Sequence, residues 1–251
     1  MATKTLKTAP KISVKIWRPI LDALDKKIES ACLRRDAFLN AVLESELDRL
    51  DDEVSIPNSQ DGYDYVFEKI DLLDRKLVSL ALSPKLIERL NEICRRKRVV
   101  RDAFFNRLFL LLGASPKVID TLLFGSEANQ WRNSVWNEIK DDSSAFQSEF
   151  YPLAHAINPF WAIRLGIEQY YAPAEQEDYI DPQNGNRVRI QRDATGAMSP
   201  IDSLYTVIFQ PKVQGHDLLG LSCYMPDWLI PGHGSEQKHK ADLDELLGIL
   251  S

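Results

Sequence analysis

Two stretches of the chain decide the fold, KISVKIWRPILDALDKKIESACLRRDAFLNAVL at 11–43 and LVSLALSPKLIERLNEICRRKRVVRDAFFNRLF at 77–109. They are two copies of one pattern and align without a gap at a shift of 66 residues. In each copy, apolar residues first alternate with period two and then recur with helical spacing, which predicts a strand followed by two helices. The identical pairs are Ser13/Ser79, Leu24/Leu90, Arg35/Arg101, Asp36/Asp102, Ala37/Ala103, Phe38/Phe104 and Asn40/Asn106.

A single copy is not expected to fold alone. Its one strand has no partner for its backbone groups, and two short helices bury too little apolar surface. Two copies can pair their strands and pack four helices beneath them. We therefore predict that strand 12–16 pairs antiparallel with strand 78–82. Pro19 and Pro84 lie where helices tolerate proline, and Ser83 is suited to cap the helix that follows it.

This arrangement resembles the ribbon-helix-helix family of DNA-binding proteins, and the resemblance covers both copies. It implies that the two strands enter the DNA major groove as a ribbon. It also implies that DNA phosphates lie at the N-termini of the second helices, where backbone N–H groups are free. We therefore expect a protein that binds double-stranded DNA sequence-specifically, acting as a transcriptional regulator such as a repressor.

The resemblance assigns base contacts to strand residues that face away from the helices, namely Lys11, Ser13, Lys15, Trp17 and Ser79. The second strand is poor in hydrogen-bonding groups, because Leu77 and Ala81 stand at the positions of Lys11 and Lys15. Either recognition is lopsided, or the second strand is mainly structural. Phosphate contacts are expected from Arg18, Arg34, Arg35, Arg98 and Arg101.

The net charge of −6 is unevenly distributed. Residues 1–50 carry +3, residues 51–75 carry −6, residues 76–125 carry +6 and residues 126–251 carry −9. Because charge attraction is screened within about 10 Å in physiological salt, the local balance decides whether a surface can bind phosphate. The predicted organisation is a basic arm at 1–10, a first unit at 11–50, an acidic linker with a helix at 51–75, a second unit at 76–113 and a further domain at 114–251.

Two segments have apolar surface that needs a partner. Residues 63–76 have apolar side chains at helical spacing, and FFNRLFLLL at 104–112 is apolar almost all round, as helices buried on several sides are. One ribbon reads few bases, and specific binding needs a larger contact area. We therefore expect a homo-oligomer. The alternative is that the C-terminal half folds back and covers these helices within one chain.

The C-terminal half resembles no family that we recognise, and its pattern predicts an α+β domain. Helices are expected at 115–140, 158–171 and 241–250, and antiparallel strands at 187–192, 203–209 and 218–225, with a turn at 184–186 and a flexible tail at 231–240. Its acidic character leaves several roles open. It could sense a ligand, mediate association, or bind a partner protein as antitoxins do. A plasmid-transfer accessory protein with an architectural role is a further alternative.

Other classes of protein are disfavoured by the sequence. The histidines His155, His216, His233 and His239 lack the spacing of metal ligands, and no phosphate-binding loop or nucleophile motif is present. We therefore expect neither an enzyme nor a cofactor or metal site. No apolar run approaches the ~18 residues of a membrane span. The three cysteines fit reduced thiols in a cytoplasmic protein.

Overall fold

The N-terminal half is mostly helical and contains a small two-stranded antiparallel sheet. The computed structural model describes residues 10–125, 150–171, 177–180, 187–192, 198–199, 203–209, 212–213 and 215–232. The elements of the first half are β1 (Lys11–Trp17), α1 (Arg18–Ser30), α2 (Arg35–Glu53), α3 (Gln60–Asp71), β2 (Arg75–Ala81), α4 (Pro84–Lys97), α5 (Arg101–Gly113) and α6 (Pro116–Phe124).

The two strands pair antiparallel, as predicted, with a register that runs from Lys11 opposite Ala81 to Trp17 opposite Arg75. Residues of alternate parity point into the core, because successive strand residues face opposite sides of a sheet. The buried positions on the inner face are Ile12, Val14, Ile16, Val78 and Leu80. These five side chains anchor the ribbon on the helices beneath it.

The helices begin where the sequence predicts. Proline lies in the first turn of α1 and of α4, and the Ser83 hydroxyl accepts a hydrogen bond of 3.3 Å from Leu86 N, confirming the cap. The C-terminal end of α5 approaches α1 closely at Gly113. A Cβ atom at that position would lie 3.1 Å from Leu24 N, so only a very small residue fits without displacing α1.

The acidic linker forms helix α3, which confirms the predicted helix. Its apolar face buries Val66 and Ile70, and its C-terminal end lies against a 3-10 helix at Leu219–Leu221. A Cβ atom on Gly220 would approach Ile70 N to 2.5 Å, which backbone atoms cannot accommodate. Asn58, just before α3, joins the two halves: its amide donates to Cys223 O at 2.9 Å and its carbonyl accepts from Met225 N at 2.8 Å.

Helix α5 is covered within the chain. Every residue from Ala103 to Gly113 is buried, which confirms the burial expected of this helix. Arg107 ties it to the C-terminal half, donating to the carbonyls of Leu204 at 2.8 Å, Val207 at 2.7 Å and Leu221 at 3.4 Å. Its guanidinium also lies 4.0 Å from the centre of the Phe209 ring. The C-terminal half therefore covers α5 within one chain, which is the alternative considered above. The apolar surface of α5 is then no longer an argument for a homo-oligomer.

A buried ionic network fixes α2 to the C-terminal half. Arg164 donates to both carboxylate oxygens of Glu46, at 3.1 and 2.8 Å, and to Glu53 at 2.8 Å. The Tyr205 hydroxyl donates to Glu46 at 2.5 Å. Burial alone lowers the pKa of Arg164, but the two carboxylates raise it overall. The pKa of Tyr205 is raised, first by burial and then by Glu46. Arg164 therefore stays charged.

The C-terminal half contains short elements. They are α7 (Tyr151–Ala154), α8 (Trp161–Tyr171), β3 (Glu177–Ile180), β4 (Arg187–Arg192), β5 (Met198–Ser199), β6 (Lys212–Val213), β7 (His216–Asp217) and two 3-10 helices at Leu219–Leu221 and Asp227–Leu229. β3, β4 and β5 pair in that order, and β6 pairs with β7, all antiparallel.

The predicted helix at 158–171 and strand at 187–192 are confirmed, and α6 confirms the first part of the helix at 115–140. The strands predicted at 203–209 and 218–225 are wrong, because these segments form turns and a 3-10 helix. Their carbonyls turn towards Arg107 instead of towards a neighbouring strand. The turn at 184–186, the tail and the helix at 241–250 fall outside the described residues, apart from residues 231–232. Within the described ranges, no helix has the length and apolar character needed to cross a membrane.

Candidate nucleic-acid interface

The outer face of the β1–β2 ribbon carries most of the residues predicted to contact bases. Lys11, Ser13, Lys15 and Ser79 are all exposed on it. Ser13 and Ser79 lie directly opposite each other and are also equivalent positions of the two copies. A local two-fold axis therefore passes between these two serines, and the ribbon is nearly symmetric in its backbone.

The two strands differ in the chemistry that they expose. Lys15 lies opposite Leu77, which is 65% exposed, and Lys11 lies opposite Ala81, which is half-buried. On either side of the two serines, the outer face therefore places a lysine of β1 opposite an apolar residue of β2. Ser13 and Ser79, on the axis, each have a hydroxyl that can donate or accept a hydrogen bond.

The position of Trp17 differs from the one predicted from the sequence. Alternation puts it in phase with the exposed lysines, but its side chain is only 8% exposed. The ring packs edge-to-face on His216, with centroids 4.9 Å apart. The prediction that Trp17 faces outward with the lysines is therefore wrong. Its cover comes from a segment about 200 residues further along the chain, which no local pattern indicates.

Two equivalent asparagines hold the ribbon edges. Asn106 on α5 donates to Lys15 O at 2.8 Å and accepts from Trp17 N at 2.7 Å. Asn40 on α2 makes the same two bonds to the other strand, donating to Ala81 O at 2.9 Å and accepting from Ser83 N at 2.8 Å. Each copy therefore clamps the strand of the other copy.

The aspartates at the starts of the second helices also bind strand backbone. Asp36 accepts from Ala81 N at 3.2 Å, and Asp102 accepts from the backbone N–H of Lys15, the equivalent position. Burial raises the pKa of Asp102, and the Lys15 N–H bond and the charge of Arg101 oppose that rise. Sequence reasoning missed this role. The signal available was the identity of Asp36/Asp102 and Asn40/Asn106 in both copies.

The predicted phosphate contacts at the second helices lie at two equivalent turns. Cys32 and Arg98, at matching positions, both adopt the left-handed conformation, with φ of 55° and 49°. Within the described residues, no side chain caps the first turn of α2 or of α5, so their N–H groups can bind an anion. Arg34 and Arg98 are exposed, while Arg35 and Arg101 are half-buried.

The inner arginines of these turns have different partners. Arg35 forms an ion pair with Asp25, at 3.2 Å. Arg101 donates instead to the carbonyl of Ser13, on the strand of the other copy, at 3.2 Å. The second turn is therefore linked directly to the backbone of strand β1.

Three other basic side chains, Arg96, Lys97 and Arg18, are already paired with carboxylates. Arg96 donates to Asp51 at 2.6 Å and to Glu92 at 2.8 Å, and Lys97 lies 3.1 Å from Asp51. The bond from Arg96 lowers the pKa of Asp51. Arg18, a predicted phosphate contact, pairs with Asp74 at 2.9 Å. The side chains of Arg18 and Asp74 are both largely exposed, so this ion pair is weak. Arg18 can therefore exchange Asp74 for a DNA phosphate.

Within the described residues, no group of histidines, cysteines and carboxylates could hold a metal ion. Comparison of the chain with protein-family models, curated proteins and solved structures found no match.

Proposed function

We propose that the chain is a sequence-specific double-stranded DNA-binding protein, in which two tandem ribbon-helix-helix units of one polypeptide form a single reading module. The observation that carries this proposal is the exposed face of the β1–β2 ribbon, flanked at both ends by uncapped helix N-termini with arginines. Such a protein acts as a transcriptional regulator, and its C-terminal half serves as a sensing or partner-binding part.

The dimensions of the ribbon suit a DNA groove. A major groove about 12 Å wide admits a two-stranded ribbon. At about 3.4 Å per strand residue, Lys11 and Lys15 are separated by roughly 14 Å. That separation corresponds to about four base pairs at 3.4 Å per step. One ribbon therefore reads a short site.

Base recognition in this proposal is asymmetric. Lys11 and Lys15 donate to the O6 and N7 acceptors of guanine, while Ser13 and Ser79 pair with several bases. Leu77 offers an apolar contact for the methyl group of thymine. The preferred site is then non-palindromic, with guanines on the β1 side and thymine on the β2 side.

Backbone recognition depends on the two turns. The free N–H groups at the starts of α2 and α5 receive phosphates, and the exposed Arg34 and Arg98 add charge there. These contacts fix the ribbon in the groove but carry no sequence information. They also make binding sensitive to salt.

The test is selection of a duplex from a randomised library by the full chain, followed by affinity measurement with fluorescence anisotropy. We expect one non-palindromic motif to be enriched. Lys15→Ala should lower affinity for the selected duplex more than for a scrambled duplex. Lys117→Ala, which removes the same charge from an exposed position of helix α6, is the matched control and should leave affinity nearly unchanged.

Two outcomes would contradict the proposal. One is failure to enrich any sequence over the input library. The other is an equal loss of affinity in Lys15→Ala and Lys117→Ala, because that result would mean that only overall charge matters.

A further inference from the structure

A cavity of about 570 Å³ lies between α3 and the turn that joins α4 to α5. Two aromatic side chains of α3 line it, Tyr63 and Phe67, whose rings stack with centroids 6.5 Å apart. Phe67 is 50% exposed, which leaves ring surface open to a ligand. Arg95, Arg98 and Arg101 line the cavity as well. Its volume is within the range of small-molecule sites.

The repeat shows that this lining is particular to the second copy. The lining positions that differ in charge are Asn91, Arg95, Arg98 and Val100 in the second copy, against Asp25, Glu29, Cys32 and Arg34 in the first. The framework residues Arg101 and Asp102 are the same in both copies, as Arg35 and Asp36. At these four positions the formal charge is therefore −1 in the first copy and +2 in the second, around the same arginine–aspartate framework.

Arg101 in particular lacks the carboxylate that its counterpart has. Arg35 pairs with Asp25, but the position of Asp25 is occupied by Asn91 in the second copy. Among the described residues, the Nε atoms of Arg35 and Arg101 are both buried without a hydrogen-bond partner, but only Arg101 lines this cavity. Leaving such a donor unpaired is costly, and an anion in the cavity would satisfy it. Arg95, which is exposed, has no ion-pair partner within the described part of the chain.

We propose that this cavity binds a small aromatic anion of the nucleoside phosphate class. The phosphate pairs with Arg95 and Arg101, because guanidinium groups form strong charge-assisted bonds with phosphate. The base stacks on Phe67, a contact that is tolerant of base identity. Neither a bare anion nor an uncharged aromatic compound uses both parts of this lining.

A regulatory consequence follows, and it rests on the proposed function. Arg98 and Arg101 are also predicted contacts of the DNA backbone, and Arg101 bonds to Ser13 on the reading strand. A phosphate in the cavity and a DNA phosphate at the start of α5 therefore compete. Binding of a nucleoside phosphate lowers the affinity of the chain for DNA. Bound DNA lowers the affinity for the nucleoside phosphate by the same factor, since coupling between two ligands is reciprocal.

The first experiment is isothermal titration calorimetry of the full chain without DNA. The probes are AMP and GMP, with adenosine and inorganic phosphate as the two halves of the ligand. We expect a nucleotide to bind more tightly than either half. Arg95→Glu and Phe67→Ala should each weaken it by about tenfold, the scale of one charge-assisted bond or one stacked base. Lys117→Glu makes the same change of charge on α6 and should have no effect.

Circular dichroism shows whether the variants keep their fold, which we expect because both altered side chains are largely exposed. The site is overturned if neither nucleotide binds at millimolar concentration, if folded variants bind like the wild type, or if inorganic phosphate binds as tightly as AMP.

The second experiment adds AMP or GMP to the complex with a selected duplex. Displacement supports the competition, and simultaneous binding overturns it. A chain that binds nucleotide but selects no DNA would leave the cavity site standing and would refute the proposed function, so the two failures are distinguishable.

Discussion

Replacing Asn106 by Ala removes the side chain that clamps β1 from α5. Asn106 is fully buried and makes three hydrogen bonds, to Trp17 N, Lys15 O and Asp102 O. Each neutral bond contributes about 1 kcal/mol, and a buried N–H left unsatisfied costs about 1–3 kcal/mol. Because the Trp17 N–H is buried and loses its acceptor, we expect a loss of about 3 kcal/mol in the free energy of unfolding.

Asn40→Ala is the matched control. Asn40 makes the equivalent three bonds, to Ser83 N, Ala81 O and Asp36 O, but it is only half-buried. Water can therefore replace the lost partners, and we expect a loss of about 1 kcal/mol. The change in helix propensity is the same at both positions, so the difference of about 2 kcal/mol reports burial alone.

Urea unfolding followed by far-ultraviolet circular dichroism measures both losses, provided that the dependence on urea keeps the same slope in the two variants. An equal loss, or a larger loss in Asn40→Ala, would show that burial does not decide the cost of removing the asparagine side chain.

Three further perturbations test other parts of the structure. Lys15→Ala should weaken binding to the selected duplex by about 1–3 kcal/mol in a gel-shift titration, while Ala81→Ser should change it little; equal sensitivity of both strands would contradict lopsided reading. The lowered pKa of Asp51 stabilises the fold above the ordinary value of 3.8, and this contribution is lost as the pH falls below it. Asp51→Asn should flatten that decline in urea unfolding at a series of acidic pH values, and an unchanged decline would count against the pairing with Arg96. Arg107→Met should speed amide exchange in 203–221, measured by mass spectrometry, while the β1–β2 bonds stay protected; loss of protection in both regions, or in neither, would show that Arg107 does not hold this segment separately.

The pairing of the strands could be predicted from the sequence because two local signals coincide. Period-two alternation identifies each strand, and the ungapped repeat identifies its partner. The register then follows from the near symmetry about Ser13 and Ser79. The burial of α5 was predictable for a similar reason, since a helix that is apolar all round has no face left for solvent.

Features that depend on distant side chains could not be predicted in the same way. Residues 203–209 have the composition of a strand, but Arg107, about 100 residues earlier, takes up their carbonyls. Trp17 has the parity of an exposed residue, but His216 covers it. In both cases the contact that decides the structure joins residues far apart in the sequence, and the local spacing of apolar residues does not reveal it.

In the candidate site, too, features set by the local sequence could be predicted and features set by distant contacts could not. Parity along β1 correctly predicted the exposure of Lys11, Ser13 and Lys15. The inward role of Asp36 and Asp102 was missed, because an acidic residue at a helix start is equally explained by the helix dipole. Their backbone partners lie on the strand of the other copy, and only the assembled structure places these residues together.

In the proposed complex, the outer face of the β1–β2 ribbon reads bases in the major groove. Dimethyl sulfate footprinting of the selected duplex tests it most directly, because the reagent methylates guanine at N7, in the major groove, and adenine at N3, in the minor groove. We expect protection of guanine N7 by the wild-type chain, and loss of that protection at one position in Lys15→Ala when each duplex is fully bound. Protection confined to adenine N3, or a guanine footprint that Lys15→Ala leaves unchanged, would contradict it.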